Sequence, residues 1–229
     1  VQYTALADVK PDPMLASIID GYMMRLSEIM DTQIGTTQTP LDTRKSTVRS
    51  QETAFGNLVA DAFRITMKAD VGMMNGGGIR GNRTYAAGEK ITRRDIQGEF
   101  PFRNSVAVID VNGADIWAAV ENGLSRLEDL KGRFLHFSGM SVVYDPSAPV
   151  GGRAVSISVA DEPLDLKHRY RLATVDFLSK GGDGFVMFKD APRVSVSNNI
   201  FVWQMVHDYI KEKGRIAPKV EGRLVIGTR

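Results

Sequence analysis

The chain has 229 residues, 43% of them hydrophobic and 24% charged; a chain of this size hides roughly 70% of its unfolded surface and needs no staples to fold. Twenty-nine Lys and Arg against 27 Asp and Glu leave a formal charge of +2, too balanced for a protein that holds nucleic acid by bulk electrostatics. The lack of cysteine excludes disulfides, thiolate metal sites and a cysteine nucleophile, and no apolar run approaches the roughly 20 residues of a membrane span. The amino terminus, Val1-Gln2-Tyr3, has no initiator Met and no leader pattern, and reads as a cut inside a longer protein.

In chain order, Lys10-Pro11-Asp12-Pro13 is a stiff start signal for a helix of about four turns. Met14, Leu15, Ile18, Ile19, Tyr22, Met23, Leu26, Ile29 and Met30 recur along it at helical spacing. Gly35 to Thr47 reads as a short strand and a loop. A second helix is expected over Phe55 to Ala69, with Leu58, Val59, Ala62, Phe63 and Ile65 turned inward and Glu52 placed to suit the dipole at its start. Asp70 to Met74 reads as a buried strand. Thr92 with Asp95 forms a capping box, Val106 to Val111 a strand, and Asn112-Gly113 a turn. A helix follows over Ala114 to Leu127 through Ile116, Trp117, Val120 and Leu124. Ser141 to Pro146, Val155 to Val159 and Tyr170 to Val175 read as strands. A closing helix runs from Ile200 to Lys213, packing through Phe201, Trp203, Val206 and Ile210, and Gly214 stops it. Strands and helices interleave without a regular βαβ rhythm, which predicts an α+β fold: a leading helix over 1–34 and one domain over 35–229.

Three segments carry chemistry. Asn75-Gly-Gly-Gly-Ile-Arg80-Gly81 contains GxGxxG at Gly76, Gly78 and Gly81. The residues that follow do not make a helix, so no helix N-terminus faces a pyrophosphate and the dinucleotide reading fails. The loop is either a tight turn with a surface arginine or a close backbone approach to a ligand gripped by an amide and a guanidinium. In Gly181-Gly182-Asp183-Gly184-Phe185, the carboxylate either accepts from vicinal hydroxyls such as those of ribose or closes its own turn. Phe100-Pro101-Phe102-Arg103-Asn104 supplies either core aromatics or a flat platform for a base. The histidines, His136, His168 and His207, are scattered and form no HExxH, DxH or His-x-His pair. They read as strand, loop and helix residues without a catalytic or metal-binding role.

Arg49-x-x-Glu52-Thr53 with Gly56-Asn57-Leu58, Asn75-Gly-Gly-Gly-Ile-Arg80, Pro101-Phe102-x-Asn104 and Phe177-x-x-x-Gly-Gly-Asp183-Gly-Phe occur in the order and spacing of one family. Together they resemble the C-terminal domain of the 5′-nucleotidases, which include bacterial UDP-sugar hydrolases, over about Val48 to Ile226. The resemblance implies a four-layer α/β/β/α domain preceded by an inter-domain linker helix. It implies that Phe102 and Phe177 sandwich a base, Asn104 bonds its edge and Asp183 accepts from the ribose hydroxyls. Arg49, Asn75 and Arg80 then hold the ribose and phosphate end, with Gly77, Gly78 and Gly182 also at the substrate. Hydrolysis is implied for a separate N-terminal metallophosphoesterase domain with two divalent metal ions, whose DxH and GNH-D/E signatures this chain lacks. This chain is thus expected to bind but not hydrolyse, with export to the periplasm or the cell exterior inherited from the family. Ala54 and Phe55 depart from the family's Asn and Leu or Met, beside the segment of Arg49. Arg103 stands where glycine is frequent and would favour an acidic substituent on the base. The rival readings are a 2′,3′-cyclic-nucleotide phosphodiesterase/3′-nucleotidase substrate domain, a non-catalytic nucleotide-binding or adhesion module, and thiosulfohydrolase-type chemistry. Relatives of the first prefer tyrosines as the stacking pair.

Overall fold

The computed structural model describes Lys10, residues 12–194 and residues 200–228. Helix α1 (Pro13–Met30) begins where the Asp12 carboxylate accepts from the N–H groups of Met14 and Leu15, at 2.9 and 3.0 Å. The proline that follows is pre-set for the first turn; Pro11, also part of the expected start signal, lies outside the described residues. Next come β1 (Gln33–Thr37), β2 (Leu41–Asp42), α2 (Lys45–Val48), α3 (Ala54–Thr66), β3 (Val71–Asn75), β4 (Thr84–Tyr85), β5 (Lys90–Thr92) and α4 (Arg93–Glu99). The second half holds β6 (Val106–Asn112), α5 (Gly113–Leu124), β7 (Leu135–Ser138), β8 (Met140–Tyr144), β9 (Ala154–Val159), β10 (Glu162–Pro163), β11 (Arg169–Val175), α6 (Asp176–Ser179), α7 (Val202–Lys213), β12 (Arg215–Ile216) and β13 (Leu224–Ile226). This is an α+β fold.

Four strands in the order β6-β11-β3-β7 make the central sheet. Strand β3 is parallel to β11, while β6 and β7 run antiparallel to their neighbours. The C-terminal ends of β3 and β11 and the N-terminal ends of β6 and β7 therefore meet along one edge, and the connectors leaving that edge build the site described below. Every residue of β3 and β7 is buried, because α3 packs on the sheet through β3, β7 and β11 while α5 lies against β6, β7 and β9. A second sheet, β10-β9-β8-β13, starts where the chain leaves β7 through Gly139. A third, β12-β1-β5, lies against α7.

Local signals place several boundaries. Thr53 caps α3, and full capping boxes open α4 (Thr92, Asp95) and α5 (Asn112, Asp115). Asn112-Gly113, expected to be a turn, is thus the start of a helix. Helix α3 ends at Thr66 rather than Ala69 because Lys68 adopts a left-handed φ of 50°. Ile65, expected inward, is 49% exposed, and Phe201, expected to pack, stands half-exposed at the N-cap of α7. Glu52 does more than face a helix end: its carboxylate accepts from Asn57 Nδ2 at 2.6 Å and from the N–H groups of Glu221 and Leu224, tying β13 to α3. Helix α1 has no buried residue. Its apolar side, including Leu15, Ile19, Tyr22 and Ile29, is exposed, and its end is joined to α4 through Arg94 with Asp31 and Ser27.

Candidate functional site

At the shared sheet edge a cavity of about 360 Å³ is lined by Arg49, Asn75, Gly77, Gly78, Arg80, Phe102, Asn104, Gly132, Phe177 and Asp183. That volume lies within the range of roughly 300–1,000 Å³ typical of small-molecule sites. Asn75 is the last residue of β3, and Gly76–Gly78 make a single tight 3₁₀ turn with no helix after it. Arg49 follows α2, Phe102 and Asn104 precede β6, Gly132 precedes β7, and Phe177 lies in α6 directly after β11. Residues far apart in sequence are brought together because their four strands end side by side.

Phe102 is 46% exposed and Phe177 41% exposed, whereas Phe100, two residues before Phe102, is buried. An apolar ring left in the wall of a cavity is available for stacking. The Arg80 guanidinium lies over the Phe102 ring, 5.5 Å from its centroid, within cation–π reach. Gly182 does not line the cavity; it supports it. A Cβ there would stand 2.5 Å from the Phe177 ring carbons, so only glycine lets that ring keep its place.

Asp183 takes a left-handed conformation at φ 53°, between Gly181 at 89° and Gly184 at 85°, a strained choice for a residue with a Cβ. Two amides hold it there. Asn75 Nδ2 donates to its Oδ2 at 2.9 Å, and Asn122 Nδ2 donates to its carbonyl at 3.2 Å. Arg133 in turn donates to Asn122 Oδ1 and Ser125 Oγ, each at 3.1 Å. No hydrogen-bond donor among the described residues reaches Asp183 Oδ1.

The cationic side of the cavity is made by Arg49 and Arg80, which also wall a second cavity of about 490 Å³ with Thr43, Lys45, Ile79 and Asn82. Burial first, then the nearby Arg80 charge, hold the Arg49 guanidinium below the usual arginine range, with the Asp183 carboxylate opposing. Its Nε is buried without a partner, and Nη1 reaches the Leu130 carbonyl only at 3.3 Å. Two guanidiniums close enough to repel, with no ion pair among the described residues, are arranged for an anion.

All the residues expected at a substrate except Gly182 thus share one cavity. Arg103 is exposed and does not line it, so its expected influence on a base substituent has no geometric support. Phe55 is core: it stacks on Tyr85 and Phe100 with centroids 6.4 and 6.0 Å apart. Gly132, Asn122 and Arg133 join the site without belonging to any of the sequence motifs. His136 lies in β7, His168 packs edge-on against Tyr170 at 4.7 Å, and His207 Nδ1 stands 2.7 Å from Asp208. Among the described residues no three His, Cys, Asp or Glu side chains converge as a metal site would require. Nor is any helix of these residues long and apolar enough to cross a membrane.

The 5′-nucleotidase C-terminal domain family matches residues 33–190. The 5′-nucleotidase precursor of Thermus thermophilus superposes with a TM-score of 0.83 at 32% identity, covering 94% of this chain and 44% of that one. The trifunctional nucleotide phosphoesterase protein YfkN of Bacillus subtilis is 28% identical over 93% of this chain and 15% of its own length. The snake venom 5′-nucleotidase of Naja atra is 28% identical over 95% of this chain and 44% of its own length. The chain therefore spans less than half of each of these relatives. With the family matched over most of the chain and the fold shared along nearly all of it, the chain belongs to the 5′-nucleotidase family and carries its C-terminal domain.

Proposed function

We propose that this domain recognises the base and ribose of a nucleotide and presents the phosphate to a dimetal centre in an N-terminal metallophosphoesterase domain of the same polypeptide, outside this chain. The observation that carries the reading is the convergence in one cavity of two half-exposed phenyl rings, a carboxylate held in a strained turn and two guanidiniums without carboxylate partners among the described residues. Flat apolar faces suit a base, a fixed acceptor suits vicinal hydroxyls, and forked donors suit a phosphate. Asn104 sits in the same wall, placed to bond the base edge. This chain supplies position, and holding the substrate in reactive geometry lowers a barrier by several kcal/mol. Water activation by two divalent metals is the chemistry of the other domain, and this domain by itself is inactive.

Residues 1–34, which include α1, are the linker to that domain, and residues 35–229 form the nucleotide-binding unit. The support is that α1 buries none of its apolar side chains against the other described residues. Export to the periplasm or the cell exterior fits a family whose members include venom enzymes. The phenylalanine pair favours a 5′-nucleotidase over a cyclic phosphodiesterase/3′-nucleotidase. An upstream coding sequence without DxH and GNH-D/E blocks would instead make this a binding module without catalysis.

The test is titration of the chain with adenosine and AMP by calorimetry or NMR. The expected affinities lie between millimolar and tens of micromolar, about 4–7 kcal/mol, and absence of binding by any nucleoside up to solubility overturns the reading. Phe102→Ala and Phe177→Ala are each expected to weaken adenosine by about 1–3 kcal/mol. Asp183→Asn is expected to cost about 1.5–3 kcal/mol for adenosine, the worth of a hydrogen bond to a charged group. The loss for 2′-deoxyadenosine should be smaller; equal losses would take Asp183 away from the ribose.

A further inference from the structure

We propose that His136, a residue outside the cavity, is the positioning residue for Arg49: it holds the Val48 carbonyl and so fixes the backbone from which the guanidinium reaches the phosphate end of the ligand. The last part rests on the nucleotide reading above; the tie between His136 and Arg49 does not.

The imidazole is buried in β7, and its one hydrogen bond joins Nε2 to the Val48 carbonyl at 3.0 Å, 88 residues away in sequence. A carbonyl only accepts, so Nε2 carries the proton and Nδ1 is a bare lone pair. That assignment agrees with the surroundings of Nδ1. It is buried with no partner, against Gly56, where an added Cβ would come within 2.2 Å of it. An apolar side chain would fill this space without an orphaned nitrogen, so the bond to Val48 is what the ring contributes beyond volume.

The Val48 carbonyl is held from its other side as well. An ideal Cβ on Gly76 would lie 2.0 Å from that oxygen, so it is seated against the first glycine of the cavity loop. His136 stands opposite Met74 in the β3–β7 register, and the carbonyl of Phe134, two residues before it, accepts from the Gly76 N–H at 2.7 Å. Three pieces therefore meet at one point: the α2 end that carries Arg49, the glycine loop between Asn75 and Arg80, and the strand that follows Gly132. Arg49 needs such a hold, because among the described residues its side chain makes only the long bond to Leu130.

The experiment uses this chain labelled with ¹⁵N in histidine and arginine. In the wild type, the His136 ring should show a slowly exchanging Nε2–H; an Nδ1–H tautomer overturns the proposal without any variant. In the ligand-free chain the Arg49 Nε–H should be ordered in the wild type. It should become mobile in His136→Ala and return to order in His136→Gln, whose amide nitrogen takes the place of Nε2. For binding, His136→Ala should weaken AMP about tenfold and adenosine less than twofold, with His136→Gln within threefold of wild type for both. Unchanged Arg49 order in a folded His136→Ala, or equal losses for AMP and adenosine, overturns the assignment. If the wild type binds neither ligand the nucleotide reading fails, and the Arg49 order still decides the role of His136.

Discussion

Replacing Glu99 with alanine is expected to destabilise the domain by about 2–6 kcal/mol, seen as a lower denaturant midpoint. Glu99 is fully buried at the end of α4. Its Oε1 accepts from the Thr43 hydroxyl at 2.9 Å and the Tyr85 hydroxyl at 2.8 Å, and its Oε2 accepts from the Gly81 N–H at 2.9 Å. Burial pushes the carboxyl above the usual carboxylate range, with the three donors opposing that rise. Truncation strands the Tyr85 hydroxyl and the Gly81 N–H, at about 1–3 kcal/mol for each that finds no new partner, while the Thr43 hydroxyl keeps the Arg83 carbonyl, 3.0 Å away. Glutamine keeps an acceptor for the two hydroxyls but turns an NH₂ group towards the Gly81 N–H, so Glu99→Gln should fall between alanine and wild type. A loss below about 1 kcal/mol in the alanine variant would mean that water enters and serves these donors. Because Arg80 also donates its N–H to the Glu99 carbonyl at 2.9 Å, the same contacts anchor the cationic wall of the cavity.

Mild acid is expected to weaken the fold through His136. Burial, opposed by the bond to Val48 and the nearby Glu52 charge, lowers its pKa from 6.5 to about 4. Between those values the unfolded chain binds a proton that the native chain refuses. Stability is therefore highest above pH 6.5, declines as pH falls through the window and loses nothing further from this group below about 4. The full span is worth roughly 3 kcal/mol at about 1.36 kcal/mol per pH unit. Urea denaturation of wild type and His136→Gln at about pH 7 and pH 4.5 isolates this group, since the carboxylates titrate in both proteins. A parallel decline in the two would show that His136 is protonated in the native state.

Much of the fold is legible from short-range chemistry. The capping box of Thr92 and Asp95, the apolar run from Val71 to Met74 in β3 and the terminating Gly214 are local signals with local causes. Strand β7 is read only through His136, taken as a strand residue; its bounds escape because it has four residues, all buried, and thus no alternation to mark them. Helix α1 shows the limit of periodicity: the pattern reveals an apolar side but not whether anything lies against it. Ile65 departs from its expected burial for a related reason, since it sits at the margin of the packed stripe of α3, where solvent begins.

The site divides in the same way. Residues that act through a side chain next to a glycine run, such as Arg80 and Asp183, announce themselves in the sequence. Gly132 contributes backbone to the cavity wall and leaves no side-chain signal. Asn122 and Arg133 matter only because the fold brings α5 and the approach to β7 beside the Asp183 turn. Phe100 and Phe102 are alike in a linear reading, and only the packing of Phe100 on Phe55 separates the core ring from the exposed one.

The four strands that deliver the cavity walls are mostly buried, while the walls, Asn75 apart, belong to connectors beyond the strand ends. The shape of the cavity and the packing of the sheet consequently depend largely on different residues. A cavity residue such as Asn104, whose side chain makes no hydrogen bond among the described residues, is therefore open to exchange at little thermodynamic expense while the scaffold stays put.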